Sequence, residues 1–242
     1  MKKIKIAVAC HKPSVLPVND LLMPVQVGAA IAAKRMEGMQ HDDEGDNISA
    51  KNPQYCELTA QYWAWKNVEA DYYGLCHYRR FLCFKEVDAP KNLRGQIESS
   101  AITPFTLKRF GLENEEEMRG VIEANDIVCG PLQDVRKLYT PRGNQPTALR
   151  HWVAHDRALI MTKDLEQMLE ILDEVSPEVG AAARVYLQGN RFLGFNCFVM
   201  RKELFEQMCA IEFEVLKKLE EKVDVSALET EREQLQKQLK QV

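Results

Sequence analysis

The chain has 242 residues, 45% of them hydrophobic, so it can bury one substantial core. Its 32 basic and 36 acidic residues give a formal net charge of −4, which excludes a global positive field that gathers nucleic acid. We therefore expect no nucleic-acid partner. Any anion-binding site must be local.

The first predicted element is a β-strand over Ile4–Cys10. Its basic start is typical of a signal peptide, but the apolar stretch is short and His11-Lys12-Pro13 follows directly. Later segments also fall short of the ~20 apolar residues that cross a bilayer. We expect a soluble, cytoplasmic protein, and a peripheral position at the inner face of a membrane is compatible with this. The seven cysteines form no Cys-x-x-Cys pair, which favours a reduced chain without a zinc cluster.

Three further strands are predicted, at Asp71–Cys76, Asp126–Cys129 and Phe195–Met200. They alternate with stretches of helical periodicity, of which the clearest are Tyr55–Asn67 and Lys163–Val175. This alternation predicts an α/β fold with a mainly parallel sheet flanked by helices.

The segment from Met39 to Asn52 is rich in Asp, Gly, Asn and Ser and predicts a polar loop. Within it, Asp42 to Ser49 offers carboxylates and amides that bind sugar hydroxyls or hard cations. A solvated loop is the alternative interpretation.

His77-Tyr78-Arg79-Arg80 follows a predicted buried strand, at the edge where open α/β sheets bind ligands. Arginine forks match phosphate oxygens and stay charged, so a nucleoside diphosphate fits this segment. The alternative is that the arginines pair with loop carboxylates such as Asp42, Asp43 or Asp46. On an extended segment, neighbouring side chains point in opposite directions, so at most one of the two would face a ligand.

Two histidines four residues apart, His151 and His155, share one face if their segment is helical. With Asp156, they are candidates for acid–base chemistry or for metal binding, and satisfied structural histidines are the alternative. Trp152 stands where a His-Glu-x-x-His protease has its glutamate, which excludes that class. Asn196, at the start of the last predicted strand, must bond either backbone or ligand.

His11 and Lys12 follow the first strand, where α/β nucleotide-binding proteins commonly meet their ligand. The chain has neither a Gly-x-Gly-x-x-Gly nor a Walker A sequence, which disfavours dinucleotide and P-loop enzymes. From Glu212 onward the sequence predicts a charged helix, with Leu228, Leu235 and Leu239 near heptad spacing. We predict a domain over 1–223 and a helical tail over 224–242, which either self-associates or stays solvated.

Several segments together resemble the bacterial exopolysaccharide and capsule glycosyltransferases catalogued as domain of unknown function 4422. The similarity is dense over the first third of the chain and continues more weakly to about Val223. The segments are His11-Lys12, Val25-Gln26-Val27-Gly28-Ala29, Asp46-Asn47-Ile48-Ser49, Lys51-Asn52-Pro53, Tyr55-Cys56-Glu57-Leu58-Thr59-Ala60, Trp63-Ala64-Trp65-Lys66-Asn67 and Gly74-Leu75-Cys76-His77-Tyr78-Arg79-Arg80-Phe81.

The resemblance implies a GT-A-like domain that transfers a hexose, such as galactose or galactofuranose, from a nucleoside-diphosphate sugar to a glycan or lipid-linked glycan. It implies a donor site and a set of groups that position sugar and acceptor. The donor-site residues are His11, Lys12, Asp46, Asn47, Asn52, Glu57, His77, Tyr78, Arg79 and Arg80, and the catalytic candidates are His155, Asp156 and Asn196.

The sequence departs from the family pattern in two places. GT-A enzymes usually hold manganese or magnesium with Asp-x-Asp, and the comparable position here is His77-Tyr78-Arg79, so either arginine charge replaces the cation or its ligands lie elsewhere. Beyond Val223 the family continues with a Gly-Phe-x-Ser-Glu-Arg type segment, where this chain has its charged helix. A non-catalytic module that binds sugar nucleotides or glycans in a polysaccharide assembly complex is therefore the alternative function.

Overall fold

The structure, a computed structural model, describes residues 1–156 and 161–222. The chain divides into two compact units: Met1–Leu138 with Arg191–Cys209, and the described residues of 139–190 with residues 210–222. The tail predicted over 224–242, with its spaced leucines, lies outside the described residues, so its boundary and its role in self-association stay predictions.

The first unit contains a six-stranded, mainly parallel sheet in the order β3-β2-β1-β4-β8-β5. Strands β1 to β4 run parallel, and β8 is antiparallel to both β4 and β5. The predicted α/β class is confirmed. The strands are β1 (Ile4–Cys10), β2 (Leu22–Gln26), β3 (Gln40–His41), β4 (Tyr72–His77), β5 (Ile127–Cys129), β6 (Gln133–Asp134), β7 (Arg191–Phe192) and β8 (Phe198–Arg201), of which β6 and β7 form a separate pair.

Helices surround the sheet and form most of the second unit. In the second unit, Arg184 bonds Asp173 at 2.6 Å and so links α7 to α6. Residues of α8 up to Cys209 belong to the first unit, and the later ones belong to the second. The helices are α1 (Asn52–Tyr55), α2 (Leu58–Asn67), α3 (Pro104–Phe110), α4 (Glu115–Glu123), α5 (Ala148–Val153), α6 (Thr162–Val175), α7 (Pro177–Gln188) and α8 (Lys202–Lys222), with 3₁₀ turns at 29–31, 49–51 and 135–137.

The core lies on both faces of the central strands. β1 and β4 are almost entirely buried, as expected for parallel strands that are covered on both sides. The Phe205 ring of α8 stacks on Tyr73 of β4 with 4.6 Å between ring centroids. On another part of the core, Met118 and Ile122 of α4 are buried. These contacts fix the sheet whose carboxyl edge carries the site residues.

Two predicted elements differ in the structure. The helix expected over Tyr55–Asn67 is divided into α1 and α2, because Cys56 has a positive φ of 49° that an α-helix cannot contain. The strand expected from Phe195 begins only at Phe198, after a tight turn in which the Cys197 amide donates to the Phe195 carbonyl at 2.9 Å. The predicted strands at β1, β4 and β5 and the helix at α6 are confirmed to within one residue.

We expect Gly74→Ala to destabilise the first unit. A Cβ at Gly74 would lie 2.8 Å from the Phe198 carbonyl oxygen, 2.9 Å from Val199 Cγ2 and 3.0 Å from Ile6 Cγ1. Overpacking of this kind costs about 1–3 kcal/mol, which urea unfolding would measure as a lower free energy of unfolding.

The matched control is Gly120→Ala in α4, where an added Cβ meets no atom within 4 Å. Alanine there is expected to stabilise by about 0.5–1 kcal/mol, because glycine is a poor helix former. An unchanged midpoint for Gly74→Ala would contradict the packing described for β4.

Candidate active site

The site residues follow from the order of the strands. β1 pairs with β2 on one side and with β4 on the other. The chain continues from β1 to β2 and β3 on the first side and only then reaches β4, so the strand order reverses at β1. Open α/β sheets bind ligands at the carboxyl edge beside such a switch point. His11 directly follows β1, and His77 is the last residue of β4, paired with Ala9. The sheet therefore brings residues 66 positions apart in sequence to one edge.

The Tyr78 ring is the centre of a cationic cluster at this edge. It is only 5% exposed. His11 packs edge-on against it with 5.1 Å between centroids, and its Nε2 lies 3.5 Å from the Tyr78 hydroxyl. Lys12 Nζ and the Arg79 guanidinium lie 5.8 and 5.2 Å from the ring centroid, within the range of cation–π attraction. An aromatic ring therefore holds the positive charges without neutralising them.

The two arginines diverge because the chain turns after β4. The Arg80 amide donates to the His77 carbonyl at 2.7 Å, and the His77 amide donates to the Arg80 carbonyl at 3.2 Å. The expectation of an extended segment is therefore wrong, although the two side chains do separate. Arg79 lies over Tyr78, whereas the Arg80 guanidinium lies 4.4 Å from the centroid of Phe195.

Neither arginine forms a salt bridge with any carboxylate in the parts of the chain that the structure describes. Two of the loop carboxylates considered as partners are engaged elsewhere. Asp43 pairs with Arg35, and Asp46 accepts a hydrogen bond of 3.2 Å from a tyrosine hydroxyl. Arg79 and Arg80 are also exposed to solvent. Their charge is thus available to an anion.

The third loop carboxylate, Asp42, is fully buried and organises the backbone. It accepts hydrogen bonds from the amides of Gly28 at 2.8 Å and Ala29 at 3.0 Å, and from the Ser49 hydroxyl. Gly28 has a φ of +66° that favours glycine. This carboxylate therefore holds the segment after β2 against the polar loop.

The other predicted site residues of the loop also make internal contacts. Asn47 donates to backbone carbonyls within the loop at 3.1 and 2.8 Å. Asn52 donates to the Cys56 carbonyl at 2.7 Å and to the Thr59 hydroxyl at 3.2 Å, which braces the break between α1 and α2. The Asp46 backbone carbonyl accepts a hydrogen bond of 2.7 Å from the side-chain amide of Asn67. Internal hydrogen bonds therefore hold the loop in one conformation, while Glu44, Gly45 and Asp46 remain exposed to solvent.

Two predicted residues far apart in sequence meet beside His77. Asn196 Nδ2 donates to Glu57 Oε1 at 3.3 Å. Burial lowers the pKa of His77, as do Arg79 and Arg80, and Glu57 opposes this shift. The Arg79 amide donates to His77 Nδ1 at 3.3 Å, which requires that this nitrogen carry no proton. Burial and the two arginines therefore favour the neutral form of the His77 imidazole at the edge of the sheet.

A cavity of about 1370 Å³ opens beside Arg79 and Arg80. It is lined by the irregular segment from Phe81 to Ile102, by residues after β5, and by the turn before β8 that carries Phe195. Its volume lies above that of typical small-ligand pockets because the cavity opens to solvent.

The residues at this edge do not fit a divalent cation. Among residues 1–156 and 161–222, no group of three or more His, Cys, Asp or Glu side chains is placed to hold a metal ion. Hard cations prefer several oxygen ligands, whereas β4 ends in a histidine that is followed by a tyrosine and two arginines. Burial raises the pKa of Cys197 to about 12, so this neighbouring thiol offers no thiolate ligand.

His155 and Asp156 belong to the second unit. His155 follows α5, and its Nδ1 lies 2.9 Å from the His151 carbonyl oxygen. The two imidazoles share a face as predicted, with 4.9 Å between ring centroids. Asp156 Oδ1 accepts a hydrogen bond from the Thr162 amide at 2.7 Å.

This combination defines an open α/β protein with a cation-rich site at its switch point. The chain belongs to the family described as "Domain of unknown function (DUF4422)", whose profile matches residues 5–237. It is also similar to a solved structure, the WbbM bifunctional glycosyltransferase in its apo form, with 32% sequence identity and a TM-score of 0.83. The match covers 92% of this chain but only 38% of WbbM, so the chain spans little over a third of that protein. These matches confirm the GT-A-like fold class implied by the sequence.

No curated protein matches the chain. Among the described helices, none is long and apolar enough to cross a membrane.

The sequence interpretation missed two features of the site. Phe195 was part of a predicted strand, yet its ring receives two guanidinium groups, those of Arg80 and Arg94. Arg94 lies in a segment without helical or strand periodicity. Only the turn-forming residues around it, Asn92 and Gly95, marked that segment as structured.

We expect the protein to lose stability through His77 as the pH falls. Because the folded pKa of His77 is lowered, the unfolded chain binds a proton there first, between the ordinary histidine value of about 6.5 and the folded value. The free energy of unfolding should therefore fall across that window and not above it. Urea unfolding of wild-type and His77→Gln protein over a pH series would measure the difference.

The ring protons of His77 should also titrate below the ordinary histidine value in an NMR experiment. Identical pH dependence of stability in the two proteins would contradict the environment described for His77.

Proposed function

We propose that this chain is a glycosyltransferase that moves a hexose from a nucleoside-diphosphate sugar to a glycan or lipid-linked glycan acceptor. The observation that carries the proposal is a set of three cations at the switch point of the sheet, Lys12, Arg79 and Arg80, which form no salt bridge with a carboxylate among residues 1–156 and 161–222. Membership in the DUF4422 family and similarity to a bifunctional glycosyltransferase support it.

The chemistry of sugar transfer explains why cations are needed. When the bond between the sugar and the diphosphate breaks, negative charge develops on the leaving diphosphate. Fixed positive groups lower the barrier because they are already oriented toward that charge. In this proposal Arg79 and Arg80 contact the diphosphate, while His11 and Lys12 approach the nucleotide from the end of β1. Tyr78 holds the cluster together.

The polar pair Glu57 and Asn196 is suited to the sugar. Its carboxylate accepts and its amide donates, and the two are 3.3 Å apart beside His77. We assign it to hydroxyl groups of the transferred hexose, for which galactose forms are the candidates. Asp46, Asn47 and Asn52 support this role by shaping the adjoining loop rather than by direct chemistry. A part for His155 and Asp156 in positioning the acceptor stays a prediction.

The first experiment tests the class of enzyme. The purified protein is incubated with UDP-, GDP- and dTDP-sugars, with and without manganese, and release of free nucleoside diphosphate is measured. We expect release with one donor, faster when the acceptor glycan is added. Tight binding of a sugar nucleotide without any release would contradict transfer and favour a non-catalytic binding module.

We expect the double substitution Arg79→Ala, Arg80→Ala to lower the rate of diphosphate release by about 100-fold or more, as removal of a group that stabilises transition-state charge does. The control is Arg201→Ala. Arg201 is an exposed arginine at the opposite end of β8, where it pairs with Asp126 at 2.9 Å. Full activity in the double variant, with the control also active, would refute the assignment.

A further inference from the structure

The segment between Phe81 and Ile102 contains one well-fixed turn. Asn92 Oδ1 accepts hydrogen bonds from the amides of Arg94 at 2.9 Å and Gln96 at 3.0 Å. The Asn92 amide in turn donates to the Gln96 carbonyl at 2.9 Å. Four hydrogen bonds, with the Gly95 amide donating to the Asn92 carbonyl, close the turn. Arg94 is therefore presented from a defined backbone rather than from a loose loop.

Gly95 places this turn against the residues that follow β5. Its φ is +75°, and a Cβ there would lie 2.7 Å from Pro131 Cγ. Only glycine combines that conformation with so close an approach. The contact anchors the turn beside the cavity that Arg80 and Phe195 also line.

Arg94 and Arg80 converge on one aromatic ring. Their guanidinium carbons lie 5.9 and 4.4 Å from the Phe195 centroid. Like Arg80, Arg94 forms no salt bridge with a carboxylate in residues 1–156 and 161–222. Two like charges near one ring repel each other, and the ring attracts each of them only modestly. An anion with two or more charges would relieve that repulsion and satisfy both forks.

We propose that Arg94 is a third arginine of the diphosphate site, beside Arg79 and Arg80, and that Arg94 and Arg80, oriented by Phe195, help to neutralise the leaving diphosphate in place of a divalent cation. This inference rests on the proposed transferase function. It accounts for the mismatch at the end of β4, where the fold family has carboxylates and this chain has His77-Tyr78-Arg79. It also gives the segment from Phe81 to Ile102 a role, because that segment delivers a charge to the reacting group.

Phe195 is a positioning residue in this arrangement, since it touches the arginines rather than the substrate. A ring holds a guanidinium by its face and leaves the N–H groups at its edge free to donate. A carboxylate in the same place would occupy those N–H groups.

The test compares Arg94→Ala and Arg94→Lys with Arg109→Ala. Arg109 is a matched control because it is also exposed and lies over a phenylalanine ring, 5.8 Å from the centroid of Phe110, but it does not line the cavity. Two quantities are measured: donor-dependent release of nucleoside diphosphate, in EDTA and in manganese, and binding of UDP and of inorganic pyrophosphate by calorimetry.

We expect Arg94→Ala to lower kcat/KM by about 100-fold and to weaken pyrophosphate binding at least tenfold. Arg94→Lys should recover only part of both, because lysine keeps the charge but lacks the fork. Arg109→Ala should stay within about twofold of wild type on both measures, since surface changes away from a site have small effects. Wild-type activity should be equal in EDTA and in manganese.

A second pair of variants tests the positioning role. Phe195→Leu should lower both kcat and the affinity for pyrophosphate. Phe195→Trp should keep both close to their wild-type values, because tryptophan offers the stronger π face. Equal loss in both variants would mean that Phe195 acts only by packing.

The outcomes separate this inference from the proposed function. If wild-type protein turns over a donor and Arg94→Ala is unaffected, or if EDTA abolishes turnover, the inference fails and the transferase stands. If no donor is turned over but pyrophosphate binding depends on Arg94, the anion site stands and the transferase function fails. If neither turnover nor pyrophosphate binding is detected, both are wrong.

Discussion

The parallel pairing of β1 with β4 is the constraint on which the rest of the structure depends. Its register places Ala9 opposite His77, so the residues that follow the two strands emerge side by side. β8 completes the arrangement because Gly74 lets its backbone approach β4 closely. The turn before β8 therefore reaches the same edge. Since a shift of one residue in a strand reverses the face of every side chain, this register decides which groups can meet.

Much of the fold could be predicted because its central strands are buried on both faces and read as continuous apolar runs. β1 and β4 are recognisable for that reason. β5 is an edge strand with Ile127 and Cys129 exposed, and only its short apolar run predicts it. α6 is predicted by its amphipathic periodicity. The division of α1 from α2 was not, because the side chain of Asn52 stabilises the break at Cys56 through contacts that periodicity does not encode. The position of the cationic segment at the end of β4 followed from strand order alone.

The part of the site that could not be predicted is the part made by distant segments. Arg94 and Phe195 are 101 positions apart and meet only because a turn anchored by Gly95 lies beside the turn before β8. Nor does a sequence reveal whether a loop carboxylate serves ligand or backbone. Asp42 serves the backbone, because buried amide donors must be satisfied and Asp42 accepts hydrogen bonds from two of them.

The contact of Arg94 with Phe195 and the internal role of the loop carboxylates are connected through charge. The acidic groups of the polar loop bind amides, two hydroxyls and Arg35, so they do not neutralise the arginines at the end of β4. Instead, aromatic rings orient the arginines of the site. Tyr78 orients Arg79, and Phe195 orients both Arg80 and Arg94. An ion pair would have fixed a guanidinium at the expense of its hydrogen-bonding capacity, whereas a ring face restricts its position and leaves its charge and N–H groups available. Cations prepared in this way cost folding stability through mutual repulsion, and binding of a multiply charged anion removes that repulsion. This difference between an ion pair and a ring contact, rather than the number of basic residues, is the reason to expect a diphosphate at this edge of the sheet.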